Sequence, residues 1–276
     1  MPPTQRDSLV TPLARMLPQR RRGAWSATRR SSGIAIDLGS ARTRAWMPDC
    51  GLLVDAPTVT PAGAGDGCRP VQRGVVVDLQ GATRCLDQLL GPAAGLGQYS
   101  IVVLTTPLRC TELNRSVALA ALEVLDARTV VTIESVKAAA LGAGADLTRP
   151  LLVVDIGADL TEVGLLVDGG VTEASRFEVG TSDLGATTGL AELVQSIVGA
   201  VTQLLRLDCG AQVVDALDRG PLLIGGGALR PEITYRLSKR LLAPVWPAPA
   251  PHNAAVRGAG LALVAAQRHP SLPGED

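Results

Sequence analysis

Aspartate, glycine and threonine recur at matching offsets in two stretches of this chain, and their residue types suit a phosphate and its cation. Residues 34–43 read IAIDLGSART and residues 152–161 read LVVDIGADLT, so that Asp155 stands 118 positions after Asp37. In each copy Gly follows the Asp after two residues (Gly39, Gly157), Thr after six (Thr43, Thr161) and a further Gly after fourteen (Gly51, Gly169). An apolar run, a Gly-containing turn, a second run and another Gly turn spell a strand–turn–strand hairpin. An Asp at a strand end beside exposed turn N–H groups is chemistry for a phosphate and a divalent cation. One such hairpin is common in any β protein. Two with the same offsets point to a duplicated domain closing on one nucleotide from both sides.

The rest of the chain reads as the elements that position these turns. Strands are expected at 33–38, 42–47 and 51–55, a Pro/Gly-rich loop at 57–70, a short strand at 75–78 and a helix over 80–90. A buried strand fits 101–105, a helix 109–125, a strand 130–134 and an Ala-rich helix 136–144. The second half repeats the plan with strands near 151–156, 161–167 and 171–178. A long helix is expected from 183 to 206, another from 211, a strand at 222–224 and a helix over 229–241. A Pro-rich bridge, 244–251, leads to a last helix at 253–267. Alternating strands and helices, duplicated, predict a two-lobed α/β architecture.

Composition bounds the function. Hydrophobic residues make 46% of 276, enough for a large core, and aromatics only 2%, so that core is aliphatic. No apolar run reaches the ~20 residues needed to cross a bilayer as a helix, and no cleavable signal pattern is seen. Cys50, Cys68, Cys85, Cys110 and Cys209 have no metal-type spacing and read as reduced thiols of a cytoplasmic protein. Net charge is zero, yet residues 1–32 carry seven Arg against Asp7. This leader reads as a disordered basic tail, or as a start placed too early. Its Arg20–Arg22 run and Trp25 also suit an anionic membrane face. The end of the chain, 269–276, reads as a second disordered tail.

Taken in order, these segments resemble the actin-like ATPase superfamily, and within it the bacterial rod-shape MreB proteins, from about residue 33 to 266. The first hairpin is similar to the phosphate-1 loop at Asp37, Leu38, Gly39, Ser40, Ala41 and Thr43. Arg69-Pro70-Val71-Gln72-Arg73-Gly74-Val75 resembles an Arg-Pro-x-x-x-Gly-Val segment, and Ile133 to Gly144 the first connecting helix. Asp155-Ile156-Gly157 with Thr161-Glu162-Val163 is similar to phosphate-2. Gly225-Gly226-Gly227-Ala228-Leu229 resembles the adenosine loop, and Val256-Arg257-Gly258-Ala259-Gly260 the second connecting helix. The resemblance implies an α/β, actin-like (ribonuclease H-like) duplicated fold, with lobe I at 33–145 and lobe II at 146–268. It implies Mg-ATP or Mg-ADP as ligand. Asp37 and Asp155 would hold the metal and Asp155 would serve catalysis, while the backbone of 38–41 and of Gly157, Ala158 and Asp159 would face phosphates. Gly225, Gly226 and Gly227 would lie against the adenine.

The chain also departs from the family. Two of three consecutive phosphate-2 glycines are Ala158 and Asp159 here, and the following Thr is Leu160. If those positions need positive φ, each non-Gly residue costs about 1–2 kcal/mol. An Asp159 carboxylate ~5 Å from a phosphate charge would cost roughly 3 kcal/mol at an effective dielectric near 20. Weak nucleotide binding is the expectation. The family's water-orienting Glu falls on Ser135, too short and too weak a base for that task, with Glu134 beside it aimed elsewhere. Slow or absent hydrolysis follows. Only about twenty residues separate phosphate-1 from Arg69, and nothing is inserted after Gly180, so the outer small subdomains are expected to be reduced or absent.

The leading expectation is thus a shortened, degenerate MreB-like protein of the bacterial cytoskeleton, acting in cell shape or cell-wall growth. Its partners would be wall-synthesis or cytoskeletal proteins, including a full-length MreB, with membrane contact through the basic leader and no nucleic acid. It would be cytoplasmic or peripheral to the inner membrane face. The alternatives are a small-molecule kinase of the same fold, with Asp78 or Glu134 as base, and a nucleotide-free scaffold.

Overall fold

A computed structural model describes residues 33–60, 67–94, 99–185 and 188–268. The basic leader and the C-terminal tail expected from sequence lie outside the described residues. The chain begins with β1 (Gly33–Leu38), β2 (Arg42–Met47) and β3 (Gly51–Pro57), then a two-residue-per-strand hairpin, β4 (Val71–Gln72) and β5 (Val75–Val76). Next come α1 (Leu79–Ala94), β6 (Ile101–Thr106), α2 (Glu112–Leu122), β7 (Thr129–Glu134) and α3 (Ser135–Gly142). The second half has β8 (Leu151–Ile156), β9 (Thr161–Val167), β10 (Gly170–Phe177), α4 (Leu190–Leu204), α5 (Gly210–Arg219) and β11 (Leu222–Ile224). It ends with α6 (Pro231–Leu241), β12 (Trp246–Pro247) and α7 (Ala254–Gln267).

The duplication is visible in the topology. One sheet has the order β3-β2-β1-β6-β7 and the other β10-β9-β8-β11-β12. In both, the hairpin strands run antiparallel and the remaining pairs run parallel. Side chains alternate across each sheet. Ile34 and Ile36 point into a core with α1 and α2, through Ala82, Leu86, Leu90, Ala121 and Leu122. Leu152, Val154 and Ile156 do the same with α4, α5 and α6. Each fully buried Leu or Ile contributes about 1.5–3 kcal/mol of transfer free energy, so these four layers hold the sheets.

The opposite faces meet in the middle, where two helices are exchanged. Helix α3 leaves the first sheet but places Val136, Ala139 and Ala140 beneath Leu151 and Val153 of the second. Helix α7 follows the second sheet but places Ala259 and Leu263 beneath Ala35, Ile101 and Val103 of the first. They cross at Gly142 and Gly258. A Cβ on Gly258 would lie 1.6 Å from the Ala138 carbonyl oxygen, and one on Gly142 2.0 Å from that of Ala254. The crossing is therefore backbone against backbone.

Several boundaries differ from the sequence expectation for local reasons. Helix α2 starts at Glu112, after Arg109 at φ 53° breaks the turn and the Thr111 hydroxyl accepts from the Asn114 N–H at 3.2 Å. Thr111→Ala should lower stability by about 1 kcal/mol, read as a denaturation midpoint shift at constant slope. Helix α4 starts at Leu190 instead of 183, because residues 180–185 turn under the second hairpin: the Thr181 and Ser182 N–H groups donate to Gly157 and Ala158 carbonyls at 3.0 and 2.8 Å. The Pro-rich bridge contains the edge strand β12: the Trp246 N–H donates to the Pro221 carbonyl just before β11, the Ala248 N–H just after β12 donates to Leu223, and Pro247 between them needs no acceptor. Between β3 and β4, and between β10 and α4, no helix or sheet is inserted among the described residues. The described residues of these stretches hold no counterpart of the outer small subdomains. No described helix is long and apolar enough to cross a membrane.

Candidate functional site

The two hairpin turns face each other across a cleft of about 290 Å³. They are built alike: the Gly39 N–H closes its turn on the Arg42 carbonyl at 3.1 Å, and the Gly157 N–H on that of Leu160 at 2.8 Å. These two N–H groups thus point inward. Those of Ser40, Ala41 and Ala158, on the cleft wall, have no protein acceptor among the described residues. Neither Ala158 nor Asp159 has positive φ, so the strain anticipated for a glycine-free loop is not there. Gly180 makes room instead, since a Cβ on it would meet the Ala158 oxygen at 2.2 Å.

Asp37 and Asp155 line the cleft from opposite sheets. Asp37 accepts from the Thr105 hydroxyl at 2.7 Å and lies 3.7 Å from the Arg44 guanidinium. The residue opposite each Asp in its hairpin differs: Asp37 faces Arg44, whereas Asp155 faces Glu162. Like charges directly opposite on a ladder destabilise. Burial, then the charge of Asp37, push the Asp155 carboxyl up to about 7, against a smaller pull from Arg44. Glu162, 3% exposed, is pushed up to about 8 by burial and then by Asp155. It accepts from the Leu108 N–H at 2.5 Å and from the Ser135 hydroxyl at 3.0 Å. Sequence reading missed Glu162 as a cleft residue. The signal was there: it stands at the same offset from Asp155 as Arg44 does from Asp37.

Two carboxylates from opposite walls are too few for an all-protein cage, and no cluster of three or more metal-binding side chains occurs among the described residues. They fit a hydrated Mg²⁺ that takes its other ligands from water and phosphate. A cation there would also offset the burial and the Asp37 charge that together raise Asp155.

The three glycines after β11 have separate roles. Gly225, at φ +80°, brings the chain against Asp155, whose Oδ1 would be 2.3 Å from a Cβ. Gly226 lines the cleft with open space beside it, the face a planar base needs. Gly227 packs on Ile156 away from the cleft. Thr43 and Thr161 also sit behind the walls, fully buried. Thr43 hydrogen-bonds the Thr58 hydroxyl at 2.9 Å and Thr161 donates to the Val179 carbonyl at 2.7 Å. Asp159, 5% exposed, is held by Arg69 at 3.1 Å. Arg42 lines the cleft but is tied to Asp55 at 2.5 Å. His252, given no role from sequence, also lines the cleft, its Nδ1 lacking a protein partner among the described residues.

The family model described as MreB/Mbl protein matches residues 60–188. The cell shape-determining protein Mbl of Bacillus cereus is 23% identical over 86% of this chain and 97% of its own length. Among solved structures, MreB5 of Spiroplasma citri bound to AMPPNP superposes with a TM-score of 0.76 at 18% identity, covering 86% of this chain and 97% of its own. The chain has the actin-like fold and is similar in sequence to MreB and Mbl proteins. A MamK double helical filament supplies another match, with a TM-score of 0.68 at 17% identity over 86% of this chain and all of its own. The chain covers nearly the whole length of these relatives, with no helix or strand among the described residues between β3 and β4 or between β10 and α4.

Proposed function

We propose that this MreB-like chain binds Mg-ADP or Mg-ATP weakly between its lobes, 33–145 and 146–268, and works as a cell-shape cytoskeletal protein. The observation that carries the nucleotide reading is the Asp37–Asp155 pair at the foot of the cleft, flanked by free turn N–H groups and the open face of Gly226. Relatives support it: Mbl is a cell shape-determining protein, MreB5 of Spiroplasma citri is bound to AMPPNP or ADP, and MamK forms a double helical filament. Asp37 and Asp155 would hold Mg²⁺, which neutralises phosphate charge when bound. Hydrolysis is slow or absent, because the Ser135 hydroxyl donates to Glu162 and has no carboxylate of its own to orient water. The partners of this reading are wall-synthesis or cytoskeletal proteins, among them a full-length MreB, met in the cytoplasm or at the inner membrane face.

The kinase reading has less support. Asp78 accepts from the Gly81 N–H at 2.9 Å at the start of α1, Glu134 is exposed, and neither lines the cleft. Thermal unfolding with and without millimolar Mg-ADP is the test. Ligand at a hundred times its Kd adds about 2.7 kcal/mol, or roughly 5–11 °C for a chain of this size. Asp155→Ala should abolish the shift. An unshifted wild type would leave a nucleotide-free scaffold as the function.

A further inference from the structure

The short β4–β5 hairpin belongs to the first lobe by its root and to the second by its tip. At the root, Val71 is buried, Val76 packs on the first core, and the Val77 and Asp78 N–H groups donate to the Pro70 carbonyl. The tip is a two-residue turn with positive φ at both central positions, 49° at Arg73 and 73° at Gly74. That is the I′ geometry suited to a tight hairpin, here with an arginine where Asn or Gly is usual. An arginine kept in the left-handed region is a position fixed by its surroundings.

Those surroundings are in the second lobe. The Arg73 guanidinium forks onto Asp183, with both N–O distances 2.9 Å, and also donates to the Asp159 carbonyl at 3.1 Å and to that of Glu178. The Arg73 carbonyl accepts from Arg176 at 2.5 Å. Arg69 reaches the Asp159 carboxylate at 3.1 Å. The fork holds the Asp183 carboxyl below the usual carboxylate range, aided by the Gly180 N–H. Gly74, in turn, donates its N–H to the Ser40 hydroxyl at 3.2 Å, on the first phosphate-type turn. The contacts therefore join both turns at the cleft mouth, and Asp159 and Asp183 bracket the second turn and the segment beneath it.

We propose that residues 69–76 are a strap that holds the two lobes together over the cleft without a ligand, and that release of Arg73 from Asp183 and of Arg69 from Asp159 opens it. The device belongs to this chain's own substitutions. Asp159 supplies a buried carboxylate within the turn, and Arg69 of the strap reaches it. Charge pairs of this kind are partly solvated, Arg69 being 43% and Arg73 37% exposed, so salt weakens them.

The inference rests on the cleft being the ligand entrance, but its test needs no ligand. Amide hydrogen exchange is measured on the ligand-free full chain, for wild type and for the Arg69→Ala/Arg73→Ala double variant. The amides of Gly74, Gly180, Thr181 and Ser182, all bonded within the strapped region, should exchange about tenfold faster or more in the variant. Those of Leu152, Val153 and Val154 in the core of β8 should keep their wild-type rates. Wild type in 1 M NaCl should show the same pattern relative to 0.05 M, which decides the matter if the double variant does not fold. Unchanged exchange at the strap amides, or equal acceleration in β8, would overturn the strap. Failure of Mg-ADP to bind would leave this result standing and overturn only the nucleotide reading.

Discussion

Gly258→Val should lower the stability of the protein by about 3 kcal/mol or more, at or above the top of the usual range for overpacking. The reason is that the added Cβ would sit 1.6 Å from the Ala138 carbonyl oxygen and 2.8 Å from the Gly142 nitrogen. Those are backbone atoms of α3, and no rotamer change relieves them. Helices α3 and α7 must separate, and each carries the core contacts of the opposite sheet. Removing glycine from a helix interior returns under about 1 kcal/mol, too little to offset the clash. For a chain of this size the midpoint of thermal unfolding should fall by roughly 6–12 °C. Gly142→Ala, which would meet the Ala254 oxygen at 2.0 Å, should act in the same direction. The two changes should be less than additive, since one separation of the helices accommodates both. A Gly258→Val protein within about 1 kcal/mol of wild type would show that the two helices can part at little cost.

Stability should fall as pH rises from about 5 to 8 in metal-free buffer, and Glu162→Gln should remove about half of that slope. In the folded protein Glu162 titrates near 8 and Asp155 near 7, both above their ordinary values of 4.5 and 3.8. Below the ordinary values, folded and unfolded chains are both protonated and the two groups contribute nothing. Above them the unfolded chain ionises first, so it binds fewer protons and gains relative to the folded state. Each group then costs up to about 1.4 kcal/mol of stability per pH unit until the pH passes its folded value. The loss arises because burial first, and then a neighbouring carboxylate, disfavours the ionised form of each group. Glu162→Gln keeps an oxygen for the Leu108 N–H and an amide for Ser135, yet has no charge to desolvate. The variant should match wild type near pH 5 and exceed it by about 2 kcal/mol or more at pH 8. Urea midpoints across that range would measure it, and parallel curves for the two proteins would sink the assignment.

The repeat in the sequence foretold the architecture because hydrophobic period and turn glycines act locally. β1, β2, β8 and β9 start and stop where the alternation and the Asp-x-Gly turns place them, since each depends on neighbours in the same hairpin. The same local logic marked Asp37 and Asp155, and the family resemblance Gly226, and all three line one cleft. It failed where a residue's role depends on what folds against it. Thr43 and Thr161 have the spacing of ligand-facing residues, but their hydroxyls are spent on Thr58 and Val179. The helix expected from 183 starts at Leu190, because Asp183 caps Gly180 and answers Arg73.

The sequence by itself determined two copies of one sheet plan, an aliphatic core and the matching aspartates Asp37 and Asp155 at the ends of two strands. These follow from residue type and from spacing within about ten positions, over which backbone geometry is nearly fixed. Only the tertiary structure decided that Ala158 and Asp159 sit without strain, that Glu162 shares the cleft with Asp155, and that α3 and α7 exchange lobes at a glycine crossing. It alone decided that Arg73 reaches Asp183, 110 residues away. Such pairings depend on burial and on the approach of distant segments, and desolvation, the largest effect on Glu162 and Asp155, has no value until the chain has closed around them.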